Sequence, residues 1–286
     1  MKQTALYIIG FVSLLSSCKK SFVETDPNTG EQPTTVSSNP NSDCKIQEIS
    51  QVNGTAVFFN LSYQYANKTS PKEIAITEPT INNLTQKINF ITQGDTIFFG
   101  TGNWMIKDAV HGQITQMQLI DADGFGNTDT IQYHYLYDAS VRLAQKISYY
   151  NGHTQPDFIT DYFYSGMLLT SVKLQLGDGR KLMESSIAYD PTIVIKPWLY
   201  LYTDAFENNQ LLQAFPFGVR STSLVKQVLT NIYDTNSGEL LDKWNTLFSG
   251  YVISKDGYVL QVNSTGDNQQ GLSFLTGTLR FKYVCF

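Results

Sequence analysis

Cysteine, histidine and charge are all scarce in this chain of 286 residues. Three cysteines and three histidines form no CxxC pair and no HExxH helix, so zinc has no ligand set; His111, His134 and His153 sit in unrelated segments. GxSxG, P-loop and dinucleotide fingerprints are missing too, which leaves nucleophilic catalysis without a candidate and gives no reason to expect a cofactor. Charged residues are 16% of the chain, with a net charge of −5 and no Lys/Arg block. A nucleic-acid partner demands a basic footprint, so none is expected. The apolar run from Ala5 to Leu15 is too short for a bilayer crossing of about 20 residues and reads as a processed export signal.

Hydrophobic residues at 42% and aromatics at 13% are instead spent on period-two alternation. Val57, Phe59, Leu61, Tyr63 and Tyr65 share one face of a strand, against Phe58, Asn60, Ser62 and Gln64. Ile131, Tyr133, Tyr135 and Tyr137 do the same in "TIQYHYLYD", Thr170, Val172, Leu174 and Leu176 in "LLTSVKLQL", and Leu279, Phe281, Tyr283 and Cys285 in "TLRFKYVCF". Such alternation predicts half-buried antiparallel strands. The turn signals between them ("NGHTQPD", "YSGM", "GDGR", "TNSGE", "KDG") leave little room for helical crossovers, so neighbours should form hairpins. One short helix is expected in "DAFENNQLLQAFP", where Asp204 and Glu207 have capping-box spacing and Pro216 stops the chain. The fold class is therefore all-β, a long curved antiparallel meander forming an open sheet or an open barrel.

Leu15, Ser16, Ser17 and Cys18 resemble the lipobox of bacterial lipoproteins, in which the cysteine thiol takes diacylglycerol and the mature chain carries palmitate-type acyl groups. The resemblance implies a signal peptide over 1–17, lipidation at Cys18, and, with Lys19 rather than aspartate following, an outer-membrane location; it leaves open which face of that membrane the domain occupies. Residues 18–43, rich in Pro, Ser, Thr, Asn and Gly, cannot bury enough surface to offset their ordering entropy and read as a flexible tether. A single all-β domain then spans 44–286. With Cys18 acylated, Cys44 and Cys285 remain at the two ends of an exported domain and are expected to form a disulfide, two separate buried thiols being the alternative.

Tyr137, Tyr164, Tyr189 and Tyr233 each end a strand before a polar turn, and three are followed by aspartate: Asp138, Asp190 and Asp234. This pattern resembles the YD-repeat hairpins of Rhs-type proteins, although Ser165 follows Tyr164 and the spacing is irregular. A plain antiparallel meander explains the same residues.

Sites are sparse. Asp121, Asp123, Asn127 and Asp129 in "DADGFGNTD" offer hard oxygens for Ca²⁺, but Phe125 and Gln132 occupy ligand positions of an EF-hand, and a solvated turn accounts for every residue. Trp104, Trp198 and Trp244 could stack against a sugar or peptide, while large aromatics in a β protein are usually core. The expected function is a non-catalytic binding module for an envelope or extracellular glycan or protein, held to the membrane by its lipid anchor. The alternative is a glycosidase-like hydrolase using a carboxylate pair. No pair can be named: Glu184, Glu207 and Glu239 are isolated in the sequence.

Overall fold

The computed structural model describes residues 44–53, 56–67, 70–78, 84–122, 128–200, 213–266 and 277–286. Cys18, the tether, Asp123, Asn127 and most of the expected helix lie outside them; Gln213 and Ala214 are helical.

Sixteen strands follow one another in chain order. The first eight are β1 (Cys44–Asn53), β2 (Ala56–Asn67), β3 (Ser70–Glu78), β4 (Leu84–Gln93), β5 (Thr96–Phe99), β6 (Asn103–Lys107), β7 (Ile114–Ala122) and β8 (Thr128–Tyr137). The second eight are β9 (Leu143–Tyr150), β10 (Phe158–Ser165), β11 (Leu168–Leu176), β12 (Lys181–Val194), β13 (Ser223–Tyr233), β14 (Leu240–Ile253), β15 (Val259–Gly266) and β16 (Gly277–Cys285). Each pairs antiparallel with its sequence neighbours, and β1 also pairs with β16, so the meander closes into a barrel. The expected open sheet or open barrel is thus corrected. Closure depends on twist and stagger accumulated over all the strands, and no local pattern encodes that sum.

Cys44 and Cys285 are register partners in the closing pair and are joined by a disulfide across a sequence separation of 241. Because the strand number is even, odd strands begin and even strands end at the same rim. Both chain ends lie there, and we call it the terminal rim; the opposite end is the distal rim.

The alternation sorts cleanly between two walls. Ile49, Leu61, Ile74, Met105, Met117, Tyr135, Val172, Val228, Val262 and Phe281 point inward and are buried in one hydrophobic cluster. The inner wall of β9 to β15 also carries hydroxyls: Ser148, Thr160, Ser185, Thr230, Thr246 and Ser264 are buried, and the Ser185 and Thr230 hydroxyls meet at 2.7 Å. Lys146 is buried among them, its ammonium 5.2 Å from the Tyr133 ring centroid. In β11 the inward residue is Leu169 rather than Thr170, because Thr170 is the extra residue of a bulge opposite Phe163 and Tyr164. A bulge of this kind shifts side-chain alternation by one, which strict period two cannot anticipate.

That bulge belongs to a recurring device at the terminal rim. Five odd strands carry, within their first three residues there, a buried residue followed by one extra residue: Ile46 then Gln47, Ile114 then Thr115, Leu169 then Thr170, Val225 then Lys226, Val259 then Leu260. A bulge interrupts the ladder, and in each case a tyrosine near the end of the next strand donates its hydroxyl to the carbonyl of that buried residue. The pairs are Tyr65 to Ile46 (2.8 Å), Tyr137 to Ile114 (2.6 Å), Tyr189 to Leu169 (2.7 Å), Tyr251 to Val225 (2.6 Å) and Tyr283 to Val259 (2.8 Å). Tyr233, by contrast, ends an odd strand at the distal rim. The aspartates after Tyr137, Tyr189 and Tyr233 have a separate cause: each accepts the backbone N–H two residues on, from Ser140, Thr192 and Asn236; Asp138 and Asp234 thereby open turns, whereas Asp190 lies within β12, at an irregularity in its pairing with β13.

Burial pushes the Tyr65 hydroxyl up to about 12 and raises Tyr189, Tyr251 and Tyr283 in the same direction. An unfolded tyrosine ionises near 10. The folded state therefore holds these protons more tightly. The resulting stabilisation is complete below about pH 10 and is lost as pH climbs toward the folded values. Thermal melts between pH 8 and pH 12, read beside phenolate absorbance, should show a melting temperature that is flat and then falls above about pH 10. A curve that stays flat to pH 12 would refute the burial of these hydroxyls.

A round barrel of sixteen strands leaves a channel; here residues 195–200 and 213–222, between β12 and β13, plug the terminal rim. Trp198 packs edge-on against Tyr251 and Phe281 at 6.0 and 5.6 Å, Phe215 against Phe90 at 4.9 Å, and Phe217 against Tyr135 at 4.9 Å. These contacts reach β4, β8, β14 and β16, so the plug touches the wall around its circumference. Its two limbs are tied together. Gln213 exchanges two hydrogen bonds with the Tyr200 backbone, and Arg220 donates to the Trp198 and Gln213 carbonyls while stacking on Tyr200. Polar links fix the plug to the rim, where Ile114 N–H donates to the Pro216 carbonyl and Lys196 N–H to the Gly257 carbonyl.

Candidate binding row on the outer wall

Most of the outer wall is a lattice of cross-strand polar pairs. Lys282 binds Glu48 at 3.0 Å, Lys87 binds Glu73 at 3.1 Å, and Gln145 donates to Asp161 at 2.8 Å. Lys173 and Lys181 both reach Glu184, at 3.6 and 3.3 Å. Glu184 is thereby a neutralised surface group facing no second carboxylate, and Glu239 lies in the exposed distal turn before β14. Glu207 lies outside the described residues. Among the described residues, no group of three or more His, Cys, Asp or Glu could hold a metal. Asp121 and Asp129 face each other across β7 and β8, with Asp129 accepting from Asn151. His111 and His153 pair with Asp108 and Asp157, and His134 rests on the Tyr149 ring at 5.3 Å.

One stretch of wall differs. Ile91, Phe98, Trp104, Gln118, Gln132 and Tyr149 are successive register partners across β4 to β9, all pointing outward. At strand spacings near 4.8 Å they make a row about 24 Å long, running obliquely from near the terminal end of β4 to near the distal end of β9. Ile91 and Phe98 are 61% and 41% exposed, and Trp104 is half-buried. Gln132 donates its amide to Gln118 at 3.2 Å, and Gln118 donates to the Gly102 carbonyl at 3.0 Å. Both amides are thus held in place with hydrogen-bonding capacity to spare. Ile120 extends the apolar part over Gly102, where a Cβ would stand 2.3 Å from the isoleucine tip. The row is uncharged from end to end, unlike the ion-paired wall around it.

The three tryptophans do not form one platform. Trp104 belongs to the outer row, whereas Trp198 is 1% exposed in the plug and is core, which corrects its expected role as a ligand contact. Trp244 lies across from inward-facing Thr230 near the distal rim, with its indole N–H on Asp242 at 2.8 Å. Sequence reasoning singled out Trp104 but not Ile91, Phe98 or Gln118, and it met Gln132 only as a departure from an EF-hand. Their outward phase was readable strand by strand; the register aligning them was not.

The barrel can now be set beside known structures. The fold is that of porin-like proteins. A porin-like protein from Bacteroides uniformis matches with a TM-score of 0.57 at 14% identity, over 84% of this chain and 98% of its own. Another, from Bacteroides vulgatus, matches with a TM-score of 0.50 at 12% identity, over 85% of this chain and 99% of its own. No family model matches the sequence, and no curated protein does. At these identities the likeness concerns the fold alone. Against that background the outer wall is informative. A membrane-crossing barrel turns an apolar band about 25 Å tall toward lipid, and a lysine or arginine at its midplane costs about 2–4 kcal/mol. Here Glu48, Glu73, Lys87, Asp161, Lys173, Glu184, Arg280 and Lys282 all face outward. That wall suits water.

Proposed function

We propose that this chain is a non-catalytic binding module held at the outer membrane through Cys18, and that the row from Ile91 to Tyr149 receives an extended, uncharged polymer, a glycan chain. The observation that carries this reading is the row itself. Apolar and aromatic faces at one end suit the C–H faces of sugar rings, and fixed amides beside them suit hydroxyls. Its length accommodates several residues of an extended chain. The lipobox resemblance supports the anchor, and the filled, plugged interior beside a charged outer wall favours binding outside the barrel over passage through it.

Trp104→Ala is the direct test. Trp104 lies outside the inner cluster, so the variant should keep its melting temperature within a few degrees while losing at least tenfold in affinity for glycans that the parent retains on an array. Gln132→Ala should weaken binding less. Unchanged glycan retention by Trp104→Ala would overturn the reading. Release of reducing ends by purified protein, abolished on removing one carboxylate, would replace it with the hydrolase.

A further inference from the structure

Exposed apolar side chains occur in the outer row, at the distal rim (Val57, Leu240 and Leu241) and, in greater number, at the terminal rim. Val110 in the β6–β7 turn, Leu136 near the end of β8, Met167 in the β10–β11 turn, Val194 at the end of β12, Val252 near the end of β14 and Phe286 after β16 are 83%, 48%, 50%, 81%, 43% and 48% exposed. All six lie at the terminal rim. They fall at the ends of six successive even strands, joined at β12 by Ile193 at 40% exposed, so they form a crown rather than a patch. Isolated apolar residues on a surface need no explanation, but six at successive even-strand ends do.

Charge divides along the same axis. Distal turns and strand ends carry Asp121, Asp129, Asp178, Asp234, Glu239 and Asp242, with Arg180, Lys181 and Lys243 for balance. Around the terminal rim, Lys72, Lys107, Lys196 and Lys255 are interspersed with the crown, together with the acids Asp95, Asp108 and Asp256 in its turns. Several acids there are already engaged. Asp138 binds Arg142, and Asp190 binds Thr192 and Lys226.

We propose that the terminal rim is a membrane-seating surface, with the crown dipping into the interfacial region of a glycerophospholipid bilayer and the lysines meeting its phosphates. Two observations fix the occupant. Residues 19–43 enter the barrel at Cys44, on this rim, and 25 residues of tether reach only about 25–30 Å by coil statistics, so an anchor at Cys18 holds this end nearest the lipid. The sign of charge also fits, since lysines attract phosphate headgroups and the acidic distal rim would be repelled. The plug beneath the crown gives the loops a packed floor, so the apolar side chains project from a fixed platform. Seated this way, the part of the outer row toward the distal rim stays clear of the bilayer and open to a polymer.

This rests on the proposed anchor for where the bilayer lies, so the test removes the anchor. The barrel contains its own core, closing strand pair and disulfide; residues 19–286, which carry no acyl group, are mixed with vesicles of phosphatidylethanolamine and phosphatidylglycerol and sedimented. The parent should sediment with lipid. Val110→Asp with Val194→Asp should lower its partition coefficient at least tenfold, with an unchanged melting curve. Leu240→Asp with Leu241→Asp, at the distal rim, should leave it within about twofold. No vesicle binding by the parent, or equal loss in both double variants, overturns the proposal, and a shift of the parent to dimers that the crown variant abolishes does so in favour of a second copy. Detergent-phase partitioning of the wild-type full chain reads the anchor separately: a wild type that stays aqueous while residues 19–286 bind vesicles removes the anchor and keeps the surface.

Discussion

Replacing Trp198 with alanine should destabilise the barrel by about 3–5 kcal/mol, the range for deleting a large buried aromatic. Trp198 lies in the plug at 1% exposure and is held edge-on between Tyr251 of β14 and Phe281 of β16. Tyr251 also donates the clasp to Val225, so one truncation loosens core packing and a strand-to-strand bond together. The cavity cannot collapse easily, because the surrounding wall is a closed ring of paired strands. Urea denaturation followed by tryptophan fluorescence measures the loss. Trp198→Phe, which keeps an aromatic face between the two rings, should cost less than half as much. An alanine variant within about 1 kcal/mol of wild type would mean that the plug contributes little to holding the terminal rim.

Breaking the Cys44–Cys285 disulfide should have the other large effect. Closing a loop of 241 residues restricts the unfolded chain by up to about 5 kcal/mol in the chain-entropy model, less any strain in the native state. The bond also sits in the strand pair that closes the barrel, where Lys282–Glu48 and the β1–β16 ladder supply the remaining hold. Reduction or the double Cys44→Ser, Cys285→Ser change should lower the urea midpoint while leaving the slope close to that of the reduced wild type. Coincident midpoints for oxidised and reduced protein would show that the strand pair alone sets closure.

Strand existence and facing were legible in the sequence wherever alternation was unbroken, as in "TIQYHYLYD", whose Ile131, Tyr133 and Tyr135 are all buried inside. The pattern misled at Thr170, where a single extra residue reversed the phase. Tyrosines before polar turns were visible as a motif, but not their cause: the hydroxyls of Tyr137 and Tyr189 serve carbonyls on the preceding strand, 23 and 20 residues back. Those bonds depend on register, which strand patterns do not specify across a turn. The outer row shows the same limit. Ile91 and Tyr149 are 58 positions apart in the chain and share one row only because five consecutive strand pairs stay in phase between them. Trp198 was unreadable for a different reason: the segment around it alternates no more clearly than a surface loop, and only the lumen it fills makes it core.

With its first and last strands both paired and covalently linked, the wall is topologically a ring and presents no unpaired strand edge to a neighbouring copy, the usual starting point for edge-to-edge aggregation. A protease that cuts one exposed turn opens the ring without releasing a fragment, since both pieces remain joined through Cys44 and Cys285. The seam therefore acts as insurance against nicking: shedding any part of the wall takes two cuts, or one cut and a reductant.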